Sequence, residues 1–224
     1  MQKPKNIEKN FPVLCFHNFY MAKKMLIPIF PLNGAILFPE TNLPLNIFEE
    51  RYIEMIDFAL GKNKLFGMIQ TKDSGGLYRV GCIGRINSFN ETKDGRYIIN
   101  LRGKNYFSIL KEVPLNHKFR LVESVFENIN IIQDKTFELK KFNKELFITK
   151  YRPYINRINP GIDFNLINKI EPATLIKFIA MSCPFSSADK QMLLETFNLN
   201  DLAHKLITLF EYYSSTSKNE RSVN

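Results

Sequence analysis

The sequence predicts an α+β protein in which a β-rich half with a single helix precedes a bundle of helices. Three observations carry this. Apolar residues recur with a period near 2 from Leu26 to Phe126, and the period changes to 3.6 after about residue 134. Turn chemistry punctuates the first half at short intervals, whereas helix-start signals crowd the second. Five or more short strands with one helix suit a small barrel or folded sheet.

Within the first half, 26–30 (LIPIF) is the opening strand. It runs into a loop, and the two together hold Pro28, Pro31, Pro39 and Pro44, which forbid a helix interior and suit extended or edge backbone. That loop carries Leu37, Phe38, Leu43 and Leu45, unusually apolar for a connection. The one helix is expected from a cap at Asn46, with Glu49 three positions on, and from Phe48, Tyr52, Met55, Ile56, Ala59 and Leu60 at helical spacing; Gly61 ends it. Strands are expected at 64–71 and 78–90, then a hairpin turn at Asp94-Gly95, then strands at 96–101, 105–113 and 119–126.

In the second half a helix is expected over 136–155, with Leu139, Phe142, Leu146, Phe147 and Tyr151 on its apolar stripe. Glu171-Pro172 announces the next, which stops before Cys183-Pro184. Ser186 with Asp189 forms a capping box for a third, through about Phe197. A fourth, over 199–213, aligns Leu202, Leu206, Leu209, Phe210 and Tyr213. The organisation read from these elements is a basic leader at 1–24, a β domain at 25–130, a helical bundle at 131–214 and a polar, disordered tail at 215–224.

Length and composition set bounds on function. The 224 residues can bury a sizeable core, and the 20 Phe with no Trp make Phe its main large residue. Three cysteines, Cys15, Cys82 and Cys183, form no CxxC pair, which fits a reducing cytoplasm and gives no redox couple or half zinc site. No run reaches the ~18 apolar residues of a membrane span. The net charge of +9 raises nucleic acid as a partner, but residues 1–24 alone hold five lysines and one glutamate. The regular pattern starts at Leu26, so Met21 or Met25 is an alternative start.

Several motifs, in order, resemble one family. Ile27-Pro-Ile-Phe-Pro-Leu32, Gly34-Ala-Ile-Leu-Phe-Pro39 and Leu43-Pro-Leu-Asn-Ile-Phe-Glu-Glu-Arg-Tyr52 with Met55 resemble the opening signature of the Lon substrate-binding domain. Leu65-Phe-Gly-Met-Ile69, Gly81-Cys-Ile-Gly-Arg-Ile86 and Asp94-Gly-Arg-Tyr97 follow in its order, and Pro184-Phe-Ser, Asp189-Lys-Gln and Leu193-Leu-Glu195 resemble its helical half. The resemblance spans nearly all of 26–213. It implies a PUA-like β pseudo-barrel with one helix, followed by a C-terminal α-helical bundle, and a role in capturing unfolded or tagged polypeptide for a protease or another complex. One departure stands out: Gly103-Lys-Asn-Tyr-Phe107 has Tyr106 where the family has arginine.

Catalytic, cofactor and metal sites are not expected. A phosphate-cradling GxxxxGK[ST] loop is missing from the sequence, and Gly75-Gly76 reads as an isolated turn. His17, His117 and His204 are too scattered for a metal site or triad, and Cys82 reads as a small core residue within an apolar strand. Glu49 and Arg51 beside Tyr52 read as helix-terminus chemistry, and Gly81, Gly84 and Gly95 as bulge or turn glycines.

The functional expectation is therefore a surface. A sheet edge can add an extended peptide by main-chain hydrogen bonds while apolar pockets take alternate side chains. The candidate residues are Leu37, Phe38, Leu43, Leu45, Leu77 and Tyr78. The alternative partner is RNA, through Lys140, Lys141, Lys144, Lys150, Arg152 and Arg157 with Phe147, Tyr151 and Tyr154 as stacking rings.

Overall fold

The computed structural model describes residues 24–114, 116–126 and 142–219, with side chains as far as Ser215. Six strands form the β half: β1 (Lys24–Pro31), β2 (Asn42–Ile47), β3 (Leu65–Ile69), β4 (Val80–Glu91), β5 (Tyr97–Val113) and β6 (Arg120–Phe126). The helix α1 (Glu50–Leu60) lies between β2 and β3. The strands run β2-β5-β4-β3-β1-β6, and β5 also pairs with β6. Five strands thus close into a barrel, and β2 is added outside it on the first half of β5. Only β1 and β3 run parallel; every other pairing is antiparallel.

The two segments expected at 96–101 and 105–113 are one 17-residue strand that changes partners along its length. Its first half pairs with β2 through residues 97–102, its end pairs with β6 from Phe107 to Val113, and β4 follows it from Tyr97 to Ser108. The change falls at Gly103, opposite Gly84, where the β4–β5 register shifts. Here the loop that carries Phe38 lies directly on the strand. Glu40 donates its N–H to the Gly103 carbonyl at 3.0 Å, and Gly103 donates to the Thr41 carbonyl at 2.9 Å. A Cβ at position 103 would stand 2.1 Å from the Phe38 oxygen, so only glycine admits this approach.

The proline-rich connection is more regular than expected. Its end, 42–47, is a strand, because Pro44 can sit on an unpaired edge. Asn46 therefore lies in β2 and caps nothing; the N-cap of α1 is Glu49, without a side-chain cap bond. The turn at Asp94-Gly95 and the end of α1 at Gly61 are as read from the sequence, Gly95 taking a φ of 78°.

Five helices follow: α2 (Lys144–Ile158), α3 (Phe164–Lys169), α4 (Pro172–Ser182), α5 (Ser187–Leu194) and α6 (Leu199–Asn219). Asn143, Asp163, Glu171 and Ser186 each accept backbone N–H bonds as N-caps, and Pro172 stands in the first turn of α4. Residues 136–141 of the expected first helix lie outside the described residues, and α3 is an addition too short to show a period. The tail expected from 215 is helical as far as Asn219. Its last turns are supported by α2, where Lys150 pairs with Glu211 at 2.7 Å and Arg157 donates to the Ser214 carbonyl at 3.0 Å.

Apolar side chains fall into three clusters. Ile27, Ile29, Ile69, Ile83, Phe107 and Val122 fill one. A second sets Phe30, Phe66, Met68, Cys82 and Leu121 against Tyr52, Met55, Ile56 and Ala59 of α1. The third is the bundle core, with Phe147, Tyr151, Leu175, Leu206 and Phe210, into which Ile36, Phe38 and Tyr106 of the β half also reach. Tyr106, the departure from the family pattern, is 3% exposed and meets Phe38 and Phe197 edge-on. It is interlayer packing, and burial raises its phenol pKa strongly.

Polar groups lock the same interface. The Gln70 amide donates to the Ser187 carbonyl at 3.1 Å and to the Gln191 oxygen at 3.0 Å, and Gln191 donates to the Val80 carbonyl at 3.0 Å. Lys190 donates to the Gly34 carbonyl at 2.7 Å and the Met181 carbonyl at 3.0 Å. Burial lowers the Lys190 pKa. The Asp189-Lys-Gln motif thus acts as a seam between sheet and bundle.

Two outcomes are expected. Burial pushes the thiols of Cys82 and Cys183 up to about 12. In a Cys15→Ser variant at pH 8, a thiol reagent should react with neither until denaturant is added, and prompt labelling of both would contradict their burial. Gly103→Ala should lower stability by about 2–3 kcal/mol, the cost of forcing a side chain into packed backbone, read as a reduced urea midpoint.

Candidate peptide-binding cleft

The barrel is incompletely zipped at one place. On one side β1 pairs with β6 through residues 24–29, whereas on the other it meets β3 only through residues 29–31. The cause is the way α1 hands the chain on to β3. Gly61 donates its N–H to the Asp57 carbonyl at 3.0 Å, and Lys64, at a φ of 61°, donates to the Ala59 carbonyl at 2.9 Å. The Lys64 carbonyl then accepts from Ile86 of β4 at 2.8 Å, and the Leu65 N–H turns to the Asn63 side chain at 3.2 Å. Thus β3 starts tied to β4, and among the described residues no strand pairs with residues 24–28 of β1 on that side.

Strand alternation determines which groups face that flank. Leu32 donates its N–H to the Ile69 carbonyl at 2.9 Å, which sets the even-numbered residues of β1 toward the β3 side. Pro28 has no N–H to offer. Leu26, two residues earlier in the same phase, therefore turns its N–H and C=O to the open flank. A stretch of strand edge is left available for pairing.

Side chains make this edge the floor of a cleft of about 320 Å³, at the small end of the ~300–1,000 Å³ range of binding sites. Met25, Leu26, Ile27, Pro28, Leu65 and Leu121 line it from the sheet, Phe58 and Ala59 from α1, and Lys62 from the turn after it. Leu26 is 56% exposed, high for a leucine beside a core. His117 completes one wall. Its ring stacks on Phe119 with centroids 4.8 Å apart and meets Phe58 edge-on at 5.5 Å. Its Nδ1 lies 2.8 Å from the Glu54 carboxylate, which also accepts the Lys118 N–H at 3.3 Å. The His117 bond holds the Glu54 carboxyl below its usual range. These contacts pin the loop before β6 to α1 and keep the wall upright.

The residues singled out from the sequence do not form this site. Leu37 and Phe38 are fully buried and cannot meet a peptide in this conformation, because the loop that bears them is pressed between β5 and the bundle. That expectation is corrected. Leu43 and Leu45 are half-buried against the α1 cluster, while Leu77 packs on the Ile27 cluster, so these leucines do not share one surface. Tyr78 is half-buried, with Lys72 5.7 Å from its ring centroid. The free edge of β2 is interrupted by Pro44.

The basic stretch is likewise committed to structure. Lys140 and Lys141 lie outside the described residues. Phe147, Tyr151 and Tyr154 are buried in the bundle and cannot stack on bases. Lys144 caps α3 through the Asn168 and Ile170 carbonyls, and Arg152 lies over the Phe164 ring at 3.9 Å. Among the described residues, no three His, Cys, Asp or Glu side chains gather as a metal site, and no helix is long and apolar enough to cross a membrane. Arg51 and Glu49 pair with each other at 2.7 Å beside Tyr52, at the helix terminus.

Residues 26–211 match the family model of the ATP-dependent protease La (LON) substrate-binding domain. The chain belongs to this Lon substrate-binding domain family. Its similarity to curated members is 25% identity over 190 residues with the Lon protease of Dictyoglomus thermophilum and 29% over 193 residues with that of Parabacteroides distasonis. Each alignment takes in 81% of this chain but 24% and 23% of the relatives, so the chain spans about a quarter of their length. The fold matches a Lon N-terminal domain protein from Xanthomonas campestris, with a TM-score of 0.58 at 18% identity over 82% of this chain and 98% of that one. The N-terminal domain of a Mycobacterium avium complex Lon protease gives 0.57 at 16% identity over 84% and 98%.

The cleft went unread in the sequence because its parts look like ordinary core. Leu26, Phe58 and Leu65 fit strand and helix patterns, and the signals that could have flagged them were Pro28 within a strand and the Gly61-Lys-Asn-Lys64 turn that redirects β3.

The Glu54 contact gives a pH test. Its carboxyl is depressed in the folded state, so its stabilisation is complete above the unfolded value of about 4.3 and is lost as pH falls through the folded one. Glu54→Gln should therefore lower the urea midpoint at pH 7, and the gap to the parent should close toward pH 3 (roughly a unit below that unfolded value). An undiminished gap at low pH would assign the effect to packing.

Proposed function

We propose that the chain is a non-catalytic polypeptide-binding module, which takes an extended apolar segment of an unfolded or tagged protein into the cleft between α1 and the unpaired flank of β1. The observation that carries this is the coincidence of a free strand edge at Leu26 with apolar walls on both sides. Main-chain pairing supplies sequence-tolerant binding, and the walls select an apolar side chain. Family membership in a substrate-binding domain supports the same reading, and the match covers that domain only. In this reading the bound segment is passed to a partner that does the chemistry, a protease or another complex in the cytoplasm.

The expected affinity is low. Burial of one large apolar side chain contributes about 1.5–3 kcal/mol, and ordering a flexible peptide offsets part of the gain. Dissociation constants of about micromolar to millimolar follow, suited to repeated sampling of clients.

The test uses a dye-labelled octapeptide of alternating valine and threonine around one central leucine. Leu26→Asp should weaken its binding, read by fluorescence anisotropy, about tenfold, matching loss of one apolar contact. Tyr78→Ser should leave it unchanged. If Tyr78→Ser weakened binding and Leu26→Asp did not, the cleft would be the wrong site.

A further inference from the structure

We infer that the cleft selects apolar segments that carry a carboxylate next to the anchoring side chain, an inference that rests on the cleft being the binding site. The charge pattern around the rim carries it. Along α1 the nearby carboxylates each have a partner: Glu50 pairs with Lys118 at 2.6 Å, Glu54 lies 2.8 Å from His117 Nδ1, and Asp57 accepts from the Tyr97 hydroxyl at 2.7 Å. Just past the end of the helix stands Lys62, which lines the cleft and takes part in no ion pair among the described residues. Its Nζ rests 3.9 Å from the Phe58 ring centroid, so the cation stands directly above the apolar wall. Where β1 enters, Lys24 and Lys111 share the single carboxylate of Glu123 at 3.2 and 3.3 Å. Both lysines are about two-thirds exposed.

A segment paired along β1 thus passes cationic groups beside an apolar patch. A neutral segment gains only the apolar contact. One with Asp or Glu beside its anchor also places a carboxylate over Lys62 or in the underneutralised Lys24–Glu123–Lys111 group. Basic segments meet repulsion from the same lysines, so the rim discriminates against them as well as for acidic ones. Because these charges are solvent-exposed, the selectivity is modest and screened by salt.

The experiment compares two forms of the labelled octapeptide, with glutamate or glutamine immediately after the central leucine, against the parent protein, Lys62→Glu and Leu26→Asp. At low ionic strength the parent should prefer the glutamate form about three- to fivefold, in line with exposed ion pairs. The preference should shrink at 0.5 M salt, invert in Lys62→Glu, and accompany a loss of affinity for both peptides in Leu26→Asp. Equal affinities for the two forms, both lowered by Leu26→Asp, would overturn the carboxylate selectivity and leave the cleft in place. A preference unchanged in Lys62→Glu would also overturn it. Failure of both peptides to bind the parent would remove the cleft itself as the binding site.

Discussion

One strand sets the geometry of the β half. At 17 residues β5 is long enough to serve three neighbours, and it must bend at Gly103 to reach them all. Before the bend it carries β2 on its outer side; beyond it, it turns to β6 and closes the barrel. Closure draws β6 alongside the first half of β1, and the turn after α1 ties β3 to β4 instead. The unpaired flank at Leu26 follows from those two demands on β1. The cleft therefore arises where a small barrel runs out of strand to fill its seam, beside the turn that follows α1.

The same bend couples the halves of the molecule. The segment around Phe38 lies on Gly103, and from there Ile36 and Phe38 reach the bundle core together with Tyr106. Around this contact the Gln70, Lys190 and Gln191 side chains satisfy buried carbonyls of both layers. A buried polar group without a partner costs about 1–3 kcal/mol, so the network penalises any sliding of helices over sheet. Apolar packing supplies most of the attraction, and the polar seam fixes the orientation. The change of hydrophobic period thus goes with a change of architecture, and the two halves share a packed interface.

Legibility in the sequence tracked how local the determining interaction was. The hairpin at Asp94-Gly95, the end of α1 at Gly61, the Glu171-Pro172 start and the Ser186 cap with Asp189 were all readable, since each involves residues only a few positions apart. The same holds for the buried thiol of Cys82 within its apolar strand. Asn46 misled because an N-cap and an edge strand share residue types, and only pairing with Ile98 of β5 separates them. Leu37 and Phe38 misled in another way: a loop rich in apolar residues looks like a sticky surface until the layer that covers it is known.

From the chain's own letters come the fold class, the order of most elements, the family signature and the core position of Cys82, because each is written in periodicity, turn residues or short motifs. Tertiary structure alone decided that two predicted strands are one, that Tyr106 is interlayer packing, and that Lys144, Lys150, Arg152 and Arg157 are engaged within the bundle. It also decided where an apolar segment can dock. A cleft between β1, β3 and α1 is a matter of which strand lacks a neighbour, and that depends on pairings between residues dozens of positions apart, which no local pattern records.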